Sequence, residues 1–236
     1  MIDGMSEDEG MRRMKLWDLP TRVFHWCLAA CVIGSLITQQ IGGGAMVWHG
    51  RIGLAVLGLL VFRIVWGFVG STYARFGQFV RGPAAIKGYL RGEWKGVGHN
   101  PLGALSVLAL LCTLALLVAT GVFANDDIAF EGPLYALVGK DFSDRMAGIH
   151  RLIEPLILLL VFAHLAAIVF YARVKKQTLV RPMITGWKEG TESESARGGG
   201  PVAFVFALVI AIGAVYGASG AWISSPPPSS SAAPAW

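Results

Sequence analysis

Long apolar blocks alternate with short polar stretches along the chain. Five blocks stand out, at roughly 22–41, 47–69, 102–124, 149–172 and 201–223. A span of about 20 apolar residues crosses a bilayer as a helix. Lipid offers no partners to backbone N–H and C=O groups, so a helix is the form such a block must take. The first block is too long for a signal-peptide core, and no small-residue cleavage site follows it, so it reads as an uncleaved anchor. The pattern predicts an all-α membrane protein with five crossings.

The polar stretches are short. Residues 1–15 read as a mobile tail of mixed charge. The stretch GWKEGTESESARGGG (186–200) reads as a polar linker, and the ending PPPSSSAAPAW as low-complexity chain that does not fold. The segment FGQFVRGPAAIKGYLRG (76–92) mixes aromatics with cations. It suits either a helix lying on the membrane surface or an ordinary basic loop.

Composition agrees. Hydrophobic residues make up 54% of the 236 and charged residues only 15%, where a soluble domain carries about 25%. Mean hydropathy is +0.57. The net charge of +5 comes from how Lys and Arg are distributed. Arg12, Arg13, Lys15 and Arg22 precede or open the first block. Arg75, Arg81, Lys87, Arg91 and Lys95 lie between the second and third. Arg173, Lys175, Lys176, Arg181, Lys188 and Arg197 lie between the fourth and fifth. The loop 125–147 has Lys140 and Arg145 against Asp126, Asp127, Glu131, Asp141 and Asp144. Basic loops sit in the cytoplasm. The expected placement is therefore N-terminus cytoplasmic and C-terminus outside. The positive charge is no argument for nucleic acid.

The chemistry lies in the histidines. Of five, His25, His49, His150 and His164 fall inside apolar blocks, and His99 lies in a loop. Ionisable groups within membrane spans are costly, and their default reading is functional. Hydrogen bonding between bare helices explains one such residue but not the depths of four. His25 is near the cytoplasmic start of the first helix, and His49 near the outer start of the second. The fourth helix runs inward. His150 is near its outer end, and His164 lies about 21 Å further along at 1.5 Å per residue. Fourteen residues are about 3.9 turns, so the two share a face to within roughly 40°. The histidines sort into two levels, His25 with His164 and His49 with His150.

Paired imidazoles with no thiolate or carboxylate beside them suit a haem iron with two axial ligands. Zinc would want three or four ligands. No CxxCH occurs, so the haem would be b-type. Arg22, Arg51 and Arg151 stand near the pairs as propionate partners, with Arg63 a further candidate; snorkelling to headgroups is the alternative. Gly34, Gly53, Gly58 and Gly121 allow a macrocycle, or another helix, to approach closely. Cys27, Cys31 and Cys112 all fall in apolar blocks and are read as packing residues. His99 is expected to ligate no haem.

The stretches KLWDLPTRVFHWCLAA (15–30), WHGRIGLAVLGLLVFRIVWG (48–67), GHNPLGAL (98–105) and MAGIHRLIEPLILLLVFAHLAA (146–167) resemble the prokaryotic cytochrome b561 family. That family includes the cytochrome b subunits of Ni,Fe-hydrogenases. The resemblance covers about residues 15–190. It implies a four-helix membrane bundle with two b haems, one on His25 and His164 and one on His49 and His150. It also implies electron transfer between the quinone pool and a partner protein or small redox substrate. The layout expected is a cytoplasmic tail (1–15), a di-haem cytochrome b domain (16–185), a linker (186–200), a fifth transmembrane helix (201–223) and a disordered periplasmic tail (224–236).

Three functions compete. The first is a shuttle between quinone and a periplasmic partner, a c-type cytochrome or a hydrogenase-like subunit; the acidic 125–147 loop would steer a basic partner. The second is a stand-alone oxidoreductase for a small substrate such as superoxide, an anion that loop would repel. The third is a haem-bearing anchor subunit of a larger complex. The fifth block carries Gly213, Gly217 and Gly220 with Ala214 and Ala218. Those spacings suit docking of a partner helix or a second copy of the chain, or packing on its own bundle.

Overall fold

A computed structural model describes residues 12–94 and 96–223. In chain order the elements are β1 (Arg12–Lys15), α1 (Leu19–Ile41), α2 (Met46–Val69), short helices α3 (Phe76–Phe79) and α4 (Pro83–Leu90), α5 (Pro101–Gly121), α6 (Lys140–Arg173), short α7 (Val180–Thr185), β2 (Trp187–Gly190) and α8 (Pro201–Ala218). The helices α1, α2, α5, α6 and α8 are long and apolar enough to cross a membrane.

Local chemistry sets the helix ends. Asp18 caps α1 by accepting from the Thr21 N–H at 2.7 Å, and Gly42 ends it at φ 66°. Asn100 caps α5 by accepting from the Gly103 N–H at 2.7 Å, with Pro101 at the first turn. Two ends differ from the sequence expectation. Helix α6 starts at Lys140, nine residues before the apolar block does, because the polar turn Lys140–Arg145 continues the helix beyond the greasy part. Its 34 residues span about 51 Å, well beyond a hydrocarbon core of about 30 Å. Helix α8 stops at Ala218, before the expected Ile223. Gly220 turns at φ 67°, and the Trp222 indole N–H donates back to the Gly217 carbonyl at 2.8 Å.

Helix α2 is the hub. It packs on α1, α5 and α8, while α6 packs mainly on α5. One core joins Phe24, Phe62, Trp66, Ala74, Ala207 and Ala211; a second joins Val56, Leu60, Leu114, Val118 and Ile157. Ala207 is wholly buried, so the small face of α8 through Ala207 and Ala211 meets its own bundle. Gly213 and Gly217 leave open space where a Cβ would stand. Cys31 packs against the second core; all three cysteines are free thiols.

The end of the bundle carrying the N-terminus is closed by a small cap. Strand β1 pairs antiparallel with β2, Arg12 opposite Gly190 and Lys15 opposite Trp187. The Ala196 N–H donates to the Lys15 carbonyl at 2.7 Å, and the Thr72 N–H to the Arg197 carbonyl at 2.9 Å. Met14, Leu16 and Trp17 form a third core with Tyr73, Val97 and Met183. Residues 12–15, expected as a mobile tail, are therefore paired with 187–190 and bonded to Ser195 and Ala196 of the expected linker. Each supplies the backbone partners that the other needs, a long-range match that no local pattern announces. The low-complexity tail expected at 224–236 lies outside the described residues, as do residues 1–11. In the 76–92 segment Phe79 is buried and the Phe76 ring lies against Gly67, so these aromatics turn inward.

Candidate cofactor sites

Helix α6 presents one histidine at each of two levels. The rings of His25 and His164 are 6.5 Å apart between centroids, tilted by 50°. Those of His49 and His150 are 6.1 Å apart, near perpendicular at 78°. Each ring comes from a different helix than its partner. Two metal–imidazole bonds of about 2 Å, with roughly 1 Å from each nitrogen to its ring centre, place two coordinated rings about 6 Å apart. Both pairs have that spacing.

At the level of His49 and His150 the rings are oriented from behind. The Nδ1–H of His49 donates to the Ser35 carbonyl at 3.0 Å. The Nδ1–H of His150 donates to the Leu117 carbonyl at 2.9 Å, with Thr120 Oγ1 at 3.2 Å. A carbonyl only accepts, so the proton sits on Nδ1 and the Nε2 lone pair is left for a metal. Gly121 makes room: a Cβ there would come 3.1 Å from His150 Cε1. Above, the loop 122–139 is fixed by Asp126, whose carboxylate accepts from the Ile128, Ala129 and Phe130 N–H groups. Those bonds hold its carboxyl below the usual range. Phe130 of that loop packs over Gly50, next to His49. At the other level His25 Nδ1 is buried without a partner among the described residues, and Trp26 stands edge-on to the ring at 5.0 Å.

Among the described residues there is no group of three or more His, Cys, Asp or Glu that could hold a bare metal ion. Two facing imidazoles instead suit a planar ring that supplies its own nitrogens. Residues 16–186 match the family model of prokaryotic cytochrome b561. The chain belongs to that family. It is also similar to the probable Ni/Fe-hydrogenase B-type cytochrome subunit of Azotobacter vinelandii, 22% identical over 232 residues, 79% of this chain and 92% of the relative. No solved structure matches it. Membership makes this a multi-pass membrane protein of the haem b class that transfers electrons.

The donor set of this cytochrome fits haem b. Each level offers two imidazoles at the right separation, one level has both tautomers fixed, and the other has buried polar atoms without partners among the described residues. The arginines divide. The Arg22 guanidinium donates to the Ile184 carbonyl, and its Nε is buried without a partner among the described residues. Arg51 lies over the Trp48 ring, 4.9 Å from its centroid. Arg151 is exposed next to His150. Arg63 is only 3% exposed, so it does not snorkel to headgroups.

His99 joins neither pair. Its ring is held between Trp17 and Phe79, each 4.7 Å away between centroids. Burial, helped by the Arg63 charge, brings its pKa down to about 3 and keeps it neutral. Glu154 escaped the sequence reading. It lies one turn beyond His150, half-buried, in the apolar part of α6, and its charge is felt at His150. The signal was a lone carboxylate within the quoted motif.

Proposed function

We propose that this cytochrome carries two b haems, His25 and His164 ligating one and His49 and His150 the other, and passes electrons between the quinone pool and a periplasmic partner. The observation that supports this most is the pair of facing imidazoles at each of two levels of one helix. Two axial histidines leave the iron no open position, which suits electron transfer. Stacked haems provide a path from one membrane face to the other. Bound haem supplies the one-electron couple. The chain holds the His49 and His150 rings from behind through the Ser35 and Leu117 carbonyls.

The Lys and Arg distribution supports a cytoplasmic β1–β2 cap and a periplasmic 122–139 loop. A hydrogenase-like subunit is the partner class favoured by the name of the Azotobacter relative; a c-type cytochrome is the other. The acidic loop supports a basic partner, although Lys140 neutralises part of it through ion pairs to Asp127 and Asp144. Arg22, Arg51 and Arg151 are propionate partners in this reading. The open Gly213–Gly217 face of α8 suits a partner helix or a second copy. The testing experiment is a pyridine haemochrome assay against protein mass, with single His→Ala variants. Two haems per chain are expected, and His25 or His164 variants should lose the same component. One haem per chain, or a common loss in His25 and His49 variants, overturns the pairing.

A further inference from the structure

The sequence makes Arg63 a further candidate for a propionate partner, with headgroup snorkelling as the alternative, and its burial removes that alternative. Arg63 follows His49 by fourteen residues on α2, the same interval that separates His150 from His164 on α6. Where α6 brings a second histidine, α2 therefore brings an arginine, at a similar depth and within roughly 40° of the face of His49. The side chain is buried, and among the described residues Nη1 has no hydrogen-bond partner.

Among the described residues no carboxylate forms an ion pair with this cation. Asp18 is near enough for its charge to be felt. Its oxygens accept instead from the Trp66 indole N–H at 3.0 Å and the Thr21 N–H at 2.7 Å, and Nη1 of Arg63 is not among their donors. Phe76 and Phe79 lie against the guanidinium, with ring centroids at 4.9 and 5.8 Å, and bar it from the headgroups. The nearby His99 is neutral. A buried guanidinium without a counter-ion is costly, and a carboxylate is the group its fork of N–H donors matches. Haem b carries two carboxylates on its propionates.

We infer that Arg63 anchors a propionate of the haem held between His25 and His164, through the unpartnered Nη1 group. This rests on the two-haem reading above. Arg63 would then fix the orientation of that macrocycle and, as a buried positive charge, favour its reduced state.

The test uses the full chain in lipid nanodiscs. The two haem components are assigned with the histidine variants and titrated by spectroelectrochemistry. Arg63→Gln should shift the His25/His164 component at least tenfold toward the oxidised form at fixed potential, 59 mV for a one-electron couple, with the other unchanged. Arg63→Lys should stay near wild type. Loss of that haem from Arg63→Gln with retention in Arg63→Lys supports the anchor equally. Asp18→Asn removes a negative charge and should not lower the potential. The inference is overturned if Gln moves neither component or the wrong one, if Lys behaves like Gln, or if Asp18→Asn reproduces the lowering. A wild-type chain with a single haem component would instead sink the two-haem reading itself.

Discussion

The imidazole of His150 and the backbone of Leu117 form a hydrogen bond at 2.9 Å that ties α6 to α5. The donor must be Nδ1–H, because a carbonyl has no proton to give. The bond orients the ring before any metal arrives. His49 is held in the same way by Ser35, 3.0 Å away, while His25 Nδ1 has no such partner among the described residues. The two levels should therefore differ in how they take up haem. In apo-protein titrated with haem, the His49/His150 component should form at lower haem concentration. Optical titration of single-level variants checks this; equal midpoints would show that preorientation is unimportant.

Gly121 makes a second test of that level. A side chain there would crowd His150 Cε1 and Nδ1, 3.1 and 3.3 Å from a Cβ. Alanine asks the ring to move by a few tenths of an ångström, and leucine by far more. Gly121→Leu should lower the haem content from two toward one and spare the His25/His164 component. Haem-to-protein ratio and the reduced-minus-oxidised spectrum read both effects.

Acid should destabilise the fold through His99. Its folded pKa, about 3, lies below the ordinary value of 6.5. Below pH 6.5 the unfolded chain binds a proton that the folded chain refuses. Stability is full above pH 6.5 and declines as pH falls toward 3, by about 1.4 kcal/mol per unit at most. His99→Phe should flatten the fall in Tm between pH 6.5 and 4.5 while leaving both haem bands intact. A lost haem band would make His99 a ligand after all. An unchanged slope would mean that other groups govern the acid response.

The cap offers a test of a different kind. Met14 is 1% exposed in the small core with Leu16 and Trp17. Met14→Ala should cost about 2 kcal/mol locally and loosen β1 from β2. Limited proteolysis within 187–200 should accelerate, with the haem spectrum unchanged. Cleavage at the wild-type rate would mean that the cap does not depend on Met14.

How much was legible in the sequence follows from the range of each interaction. The five helices are written in local apolar runs. The two histidine levels follow from the fourteen-residue interval in α6 and the alternating direction of the crossings. What stayed hidden depends on distant partners. Residues 12–15 and 187–190 show no alternation that predicts their pairing. Arg63 looks like any basic residue in an apolar block until Phe76 and Phe79 fold against it. Neither the Ser35 nor the Leu117 carbonyl carries a residue-type signal, because any backbone offers one. Helix α6 outran its apolar block since a helix needs only compatible polar residues to continue.

The fifth helix separates two effects that the sequence left together. Ala207 and Ala211 face the bundle beside Phe62 and Trp66, whereas Gly213 and Gly217 face open space. Truncation after Thr191 should expose the Phe62 and Trp66 surface and lower Tm, even in a chain with no partner. Ala207→Leu should do the same by overpacking a closed contact, at about 1–3 kcal/mol. Gly213→Leu with Gly217→Leu should leave Tm and both haem components of the isolated chain unchanged, since no described residue lies within reach of a side chain there. If a second helix docks there, the double variant should shift the detergent-solubilised complex to a smaller mass. Mass photometry and differential scanning fluorimetry on the same preparations read the two effects. A double variant that keeps its wild-type assembly mass removes the open face from the interface, and a truncated chain with unchanged Tm removes α8 from the core.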